Sequence, residues 1–252
     1  MNNNLKSKVA IVTGGGRDIG RAAAIKLGQA GAKVVVNYNN SVAAADETVK
    51  LIKQSGGEAL AIQADVTRQK DIDRLIAETQ SAFGKTIHIL VNNAGGLLGR
   101  KTLIEADEEF FDAVMRLNMT SVFLMTKAIA PLMTEGGAIV NLSTLAARNG
   151  GGDGSGAYAA SKGAVLSFTR SMAKELAPCR IRVNCVSPGL INTTFHNTFT
   201  KPEVRQRIAA ATPINREGNA EEVADAILFL AGDMSSFITG ESLEINGGAY
   251  FV

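Results

Sequence analysis

The chain has no tryptophan, two cysteines, two histidines and five prolines in 252 residues. Two cysteines cannot build a disulfide framework, so Cys179 and Cys185 are expected as free thiols. His88 and His196 are too few and too far apart for an evident metal site, and none is expected. Basic and acidic residues nearly cancel, at 26 against 24, and the basic ones are scattered. That argues against nucleic acid as a main partner. No apolar run is long enough to span a bilayer, and the polar start Met1 to Lys6 lacks the apolar core of a signal peptide. The expected compartment is the cytoplasm, with no membrane attachment. What the chain does have is aliphatic residues and 26 glycines. Its length suits one α/β domain with a large core, spanning 1–252.

Strand-like and helix-like patterns alternate without a break. Short apolar, β-branched runs at 9–12, 33–37, 59–63, 87–91, 137–143, 181–187 and 242–245 read as buried strands. Stretches at 21–30, 71–83, 107–132, 157–176 and 220–230 read as helices. Such alternation predicts a doubly wound, Rossmann-type parallel sheet of about seven strands with helices on both faces. Ligands of such sheets lie outside the carboxyl ends of the strands. Asp65, Asn92, Ser143 and Pro188 all follow strand ends, so one cleft can collect them. The glycine-rich run 150–156 reads as a flexible loop beside that cleft.

Two local patterns carry chemistry. Thr13-Gly14-Gly15-Gly16-Arg17-Asp18-Ile19-Gly20 sits between the first strand and the first helix. There, unpaired amides and the positive end of a helix dipole can hold a dinucleotide's pyrophosphate. Tyr158 and Lys162 stand four apart, which on a helix puts both on one face. An ammonium beside a phenol is expected to pull its pKa below the usual value of about 10, making it a proton donor or acceptor near neutral pH. Taken alone, such a pair is more often a half-buried tyrosine and a solvated lysine.

With these motifs in order, the chain resembles the short-chain dehydrogenases/reductases from about Lys6 to Gly248. Thr13, Gly14 and Gly20 match the family's T-G-x-x-x-G-x-G turn, with Asp18 in place of the middle glycine. Aspartate tolerates left-handed backbone, so the turn can survive. Asn92-Asn93-Ala94-Gly95 matches N-N-A-G, and Asn118, Ser143, Tyr158 and Lys162 match the catalytic tetrad. Pro188 to Thr193 matches P-G-x-x-x-T. Ser143 precedes Tyr158 by two residues more than the family's commonest spacing. Thr144 is the alternative hydroxyl, but Ser143 follows Asn141-Leu142 where the family's serine usually falls, and the expectation rests on it.

The resemblance implies a reductase that turns a carbonyl into an alcohol, Ser143 holding the carbonyl oxygen and Tyr158 giving the proton. Lys162 would tune Tyr158 and hold the nicotinamide ribose, and Asn118 would anchor a relay water. Cofactor contacts would come from Gly14, Arg17, Asp18, Ile19, Gly20, Asn37, Asp65, Val66, Asn92, Ala94, Gly95, Pro188, Gly189, Ile191 and Thr193. An acid at the end of the second strand would favour NAD, but 36–41 reads Val-Asn-Tyr-Asn-Asn-Ser. Arg17 can grip a 2′-phosphate, so NADPH is expected over NADH. A lid is expected at 194–216, and Arg148, Asn149 and His196 are candidate substrate contacts. The pattern is similar to the 3-oxoacyl-carrier-protein reductase group and its relatives that act on keto acids and keto sugars, free or thioester-linked. Members commonly form homotetramers. An enoyl reductase would space its tyrosine and lysine by seven, where Val165 stands. A serine hydrolase lacks its G-x-S-x-G elbow. A non-catalytic dinucleotide-binding regulator of the same fold is the alternative reading.

Overall fold

The computed structural model describes residues 4–134 and 136–252; residues 1–3 of the polar start lie outside it. Seven strands form one sheet: β1 Val9–Val12, β2 Lys33–Tyr38, β3 Glu58–Gln63, β4 Ile89–Asn92, β5 Ala138–Leu142, β6 Arg182–Pro188 and β7 Ser242–Ile245. All neighbours are parallel, in the order β3-β2-β1-β4-β5-β6-β7. The order reverses between β1 and β4, the place where such sheets open a crevice at their carboxyl ends.

Parallel strands covered on both faces need apolar residues at every position, and β1 and β4 are buried throughout. Successive side chains take opposite faces. Ala10, Val12, Val34, Val36 and Val91 pack with Leu27, Ile52 and Ile227. Ile11, Val35 and Leu90 pack on the other side with Ile72, Met125 and Ala173. The first face is covered by α1 Asp18–Gln29, α2 Val42–Gln54 and α10 Ala220–Ala231. The second is covered by α3 Gln69–Phe83, α5 Ser121–Ile129 and α7 Gly156–Leu176. The remaining helices, α4 Glu108–Met115, α6 Ala146–Asn149, α8 Thr194–Phe199 and α9 Pro202–Ala211, sit among the loops. No helix among the described residues is long and apolar enough to cross a membrane.

Two expectations change. The stretch 107–132 is not one helix: a π-helical turn at Arg116–Thr120 separates α4 from α5. The extra residue of a π-turn re-aims a side chain, and here that turn carries Asn118. The glycine loop is also not free. Arg100 Nη1 donates to the Asp153 carbonyl at 2.8 Å, and Lys101 N donates to the Gly154 carbonyl at 3.1 Å.

A buried polar chain runs through the sheet. Asn92 Nδ2 donates to Asn141 Oδ1 at 2.9 Å, and Asn141 Nδ2 donates to Thr169 Oγ1 at 2.9 Å. Removing the middle member strands partners that water cannot reach. Asn141→Ala is expected to lower the unfolding free energy by about 2 kcal/mol in urea titrations. A loss below about 0.5 kcal/mol would show that the chain does not hold the sheet together.

Candidate active site

At the carboxyl end of β1, Gly14 has φ +62°, and its N–H donates to Asn37 Oδ1 at 3.3 Å. A Cβ on Gly20 would stand 2.3 Å from the Gly14 carbonyl oxygen, so only glycine lets α1 close onto the turn. Asn93 ties the turn to β4. Its Nδ2 donates to the carbonyls of Thr13 and Gly14 at 2.9 and 3.1 Å. Thr13 Oγ1 accepts from the N–H groups of Asn93 and Ala94 at 3.0 and 2.9 Å. Neither Thr13 nor Asn93 is among the expected contacts. Their signal is a polar residue directly after each of two adjacent strands. Ile19 packs its side chain into the core beneath the turn, and Arg17 holds its guanidinium largely in solvent.

Several expected cofactor contacts turn inward. Asn37 is buried, and its Nδ2 donates to the Ala64 carbonyl at 3.0 Å. Asn92 spends its amide on Asn141, so its side chain is a core residue rather than a ribose contact. Val66 packs in the core. Asp65 Oδ1 accepts from Thr67 N–H and Oγ1 at 2.9 and 2.7 Å, shaping the turn before α3. The segment after β6 stays close to the cleft. A Cβ on Gly189 would stand 2.9 Å from Asn246 Cβ. Leu145 N–H donates to the Pro188 carbonyl at 2.8 Å. Ile191 bridges to Gly218, and Thr193 is buried just before α8.

The two hydroxyls at the end of β5 face different partners. Ser143 is buried, and its Oγ donates to the backbone carbonyl of Lys162 at 2.9 Å. Thr144, one residue on, places its hydroxyl toward Tyr158, where it acts to lower the phenol's pKa, while its Oγ1 donates to the Pro188 carbonyl at 3.4 Å. Alternation along the strand explains this: the two neighbours face opposite ways, and Ser143 faces α7. Tyr158 is half-buried overall, with its phenol oxygen at the enclosed end. Phe195 of α8 lies over its ring, with centroids 5.7 Å apart.

Lys162 is buried on α7, and its Nζ donates to the Leu142 carbonyl at 2.8 Å. A Cβ on Gly95 would stand 3.1 Å from that Nζ and 2.7 Å from Asn118 Oδ1. Asn118 is fully buried. Its Oδ1 accepts from Gly96 N–H at 3.0 Å, and its Nδ2 donates to the carbonyls of Gly96 and Val114 at 2.8 and 2.9 Å. The asparagine side chain therefore clamps the loop after β4 against Lys162.

The expected lowering of the tyrosine is not found. Burial pushes the Tyr158 phenol up to about 12, and the Thr144 hydrogen bond offsets only part of this. Burial pulls Lys162 down to about 8, with the Cys185 thiol acting the other way. Desolvation is the largest cause for each group, and neither group acts on the other. His196 is driven down to about 4, first by burial and then by Arg205, with Glu217 opposing. Its ring is neutral at neutral pH and has no cation for a substrate carboxylate. Arg148 is likewise not available to substrate, since it pairs with Glu244 at 3.1 Å in a largely buried bridge. Asn149 is exposed and accepts from Gly151 N–H at 2.9 Å, inside its own loop.

The profile of a family described as "Enoyl-(Acyl carrier protein) reductase" matches residues 14–250. A 3-oxoacyl-[acyl-carrier-protein] reductase from Synechocystis sp. is 42% identical over 248 residues, covering 97% of each chain. The chain belongs to the short-chain dehydrogenase/reductase family. A dehydrogenase/reductase from Sinorhizobium meliloti 1021 superposes with a TM-score of 0.94 at 34% identity, over 99% of this chain and 98% of that one. An NADH-dependent reductase, A1-R′, responsible for alginate metabolism, gives 0.90 at 35% identity, over 99% and 100%. Membership makes the chain an oxidoreductase that acts on carbonyl and alcohol groups. Among the described residues, no cluster of three or more metal-ligating side chains occurs.

This family member carries a lysine whose burial has a measurable consequence. Folded Lys162 loses its proton near pH 8, whereas the unfolded chain keeps it to about 10.5. Between those values the unfolded state binds more protons, so this group makes stability rise with pH. Tyr158 works the other way only above about pH 10, where the folded state alone keeps its proton. Urea unfolding at pH 7.5 and 9.5 should show a gain from Lys162 on the order of 1–2 kcal/mol, absent in Lys162→Met. An equal pH response in both proteins would overturn the shift.

Proposed function

We propose that this enzyme reduces a carbonyl to an alcohol with NADPH, and that Tyr158 is the proton donor. The observation that carries the reading is the grouping of Thr144, Tyr158 and Lys162 at the strand ends, under Phe195. The residues around the glycine turn suit a dinucleotide. Gly14 to Gly16 leave the backbone bare, and α1 begins directly behind them with an N-cap that makes no side-chain hydrogen bond. A bound nicotinamide would supply the hydride.

The chain's own groups would do the rest. Thr144 replaces Ser143 as the hydroxyl that holds the carbonyl oxygen while charge builds on it. Tyr158, beside Thr144, passes its proton to that oxygen. A phenol near 12 is in its protonated, donating form at neutral pH, though burial leaves it a weaker acid than a free tyrosine. Lys162 carries charge at neutral pH and would meet the nicotinamide ribose. Asn118 fixes Gly96, and with it the Gly95 backbone against Lys162.

Arg17 supports NADPH, because its guanidinium is exposed at the turn and 37–41 contains no acid to repel a 2′-phosphate. Phe195 and Phe199, edge to face with centroids 5.3 Å apart, make the cover over Tyr158 aromatic. With Arg148 and His196 removed as anion ligands, the site favours a 3-oxoacyl thioester over a free keto acid. A small keto sugar is the other candidate. The segment 194–216 is proposed as the lid. In absorbance assays of NADPH and NADH oxidation with an acetoacetyl thioester, keto acids and keto sugars, Tyr158→Phe should abolish turnover. Thr144→Ala should cost about 100-fold and Ser143→Ala far less. Arg17→Ala should raise the KM for NADPH alone. A larger loss for Ser143→Ala than for Thr144→Ala would return the role to Ser143.

A homotetramer is proposed for the assembly. Large apolar side chains are exposed on α4 and α5 (Phe111, Phe123) and around the β7 edge (Phe237, Phe251, Val252). Sedimentation should give about four times the 26.4 kDa chain mass; a mass of one chain would exclude the tetramer.

A further inference from the structure

One carboxylate joins the glycine turn to the segment after β6. Asp18 takes φ +49° where the family's turn has a glycine. Its Oδ1 accepts from Thr194 N–H at 3.0 Å, and its Oδ2 accepts from the Thr194 hydroxyl. The Arg17 guanidinium lies 3.8 Å from the same Oδ2. Asp18 opens α1, and Thr194 opens α8, the helix that lays Phe195 on Tyr158. The other ties of this cover lie elsewhere. Arg205 grips Glu217 with two hydrogen bonds and also donates to Asn192 and Asn197. Arg100 donates to the Phe199 carbonyl at 2.9 Å. Asp18 is the tie to the glycine turn.

We propose that Asp18 is a positioning residue that latches α8 across the dinucleotide cleft, so that dinucleotide exchange requires the Asp18–Thr194 pair to part. This rests on the dinucleotide reading given above. A ligand reaching from the glycine turn to Tyr158 runs between the two elements that the latch joins. Hydrogen bonds to a carboxylate are stronger than neutral ones, so the strap is firm for its size. The same two donors, with Arg17 nearby, offset a negative charge that would otherwise face a diphosphate. The aspartate thus trades the plain turn of a glycine for a hold on the cover.

The test pairs Thr194→Val, which leaves the Asp18 charge in place, with Asp18→Gly, which suits the left-handed backbone. Hydrogen exchange of residues 194–199 is measured in the free protein. Release of NADPH, and of NADH in parallel, is followed by stopped-flow fluorescence. Thr194→Val should speed both exchange and release by about three- to tenfold. Asp18→Gly, which also removes the acceptor of the Thr194 N–H, should speed exchange at least as much, and the double variant should be no faster than Asp18→Gly alone, because the Thr194 hydroxyl acts only through Asp18. Unchanged exchange and release in Thr194→Val and Asp18→Gly would overturn the latch. If neither nucleotide bound the wild type, the dinucleotide reading would fall, and exchange at 194–199 would still decide whether Asp18 holds the cover.

Discussion

Where β1 and β4 run side by side, the sheet reverses its winding, and the loops leaving their carboxyl ends must part to open a crevice. Two polar residues control that parting. Thr13 takes hydrogen bonds from the N–H groups of Asn93 and Ala94, and Asn93 returns its amide to the carbonyls of Thr13 and Gly14. Buried backbone groups at a strand end must find partners. Here each loop satisfies the other, so the glycine turn is fixed against β4 without any side chain entering the cleft. The positions of Gly95, Asn118 and Lys162 follow from that fixed point, because Gly95 lies two residues beyond Asn93.

Burial decides the electrostatics of the site more than proximity does. Lys162 and Tyr158 share a helix face, yet the phenol rises to about 12 and the ammonium falls to about 8. The apolar core under α7 and the cover of Phe195 take both groups out of water, where each is costly to charge. His196, sealed in the same cover, is neutral for the same reason. An enclosed site of this kind keeps the phenol and the imidazole in their neutral forms at neutral pH.

Much of this was legible in the sequence. Parallel strands buried on both faces must be continuous apolar runs, and β1, β2, β5 and β6 read that way. The glycine turn, the Tyr158–Lys162 pair and the order of motifs carried the family. Other features were not legible because they depend on facing or on distant contacts. The choice between Ser143 and Thr144 turns on a single step of strand alternation. Asn92 and Asn37 sit in matching motifs, but tertiary partners draw their side chains inward. The π-turn at Asn118 is a matter of one extra residue in an otherwise unbroken helical pattern. α2 escaped because its apolar stripe is thin and alanine-rich. The Asp18–Thr194 contact spans 176 positions, and no local pattern announces it.

The sheet order also bears on how the chain assembles. β1 can pair with β2 as soon as both exist, since a single helix separates them. Its other neighbour, β4, lies 78 positions away at the Thr13–Val91 contact. Contacts so distant in sequence form late, because a long loop must close before they are rewarded. During synthesis β1 therefore waits with one open edge, a row of unpaired backbone groups and an apolar face. The Thr13–Asn93 knot can be tied only when β4 arrives. The turn that gives this enzyme its cleft is translated before β4 and cannot take its shape until β4 follows.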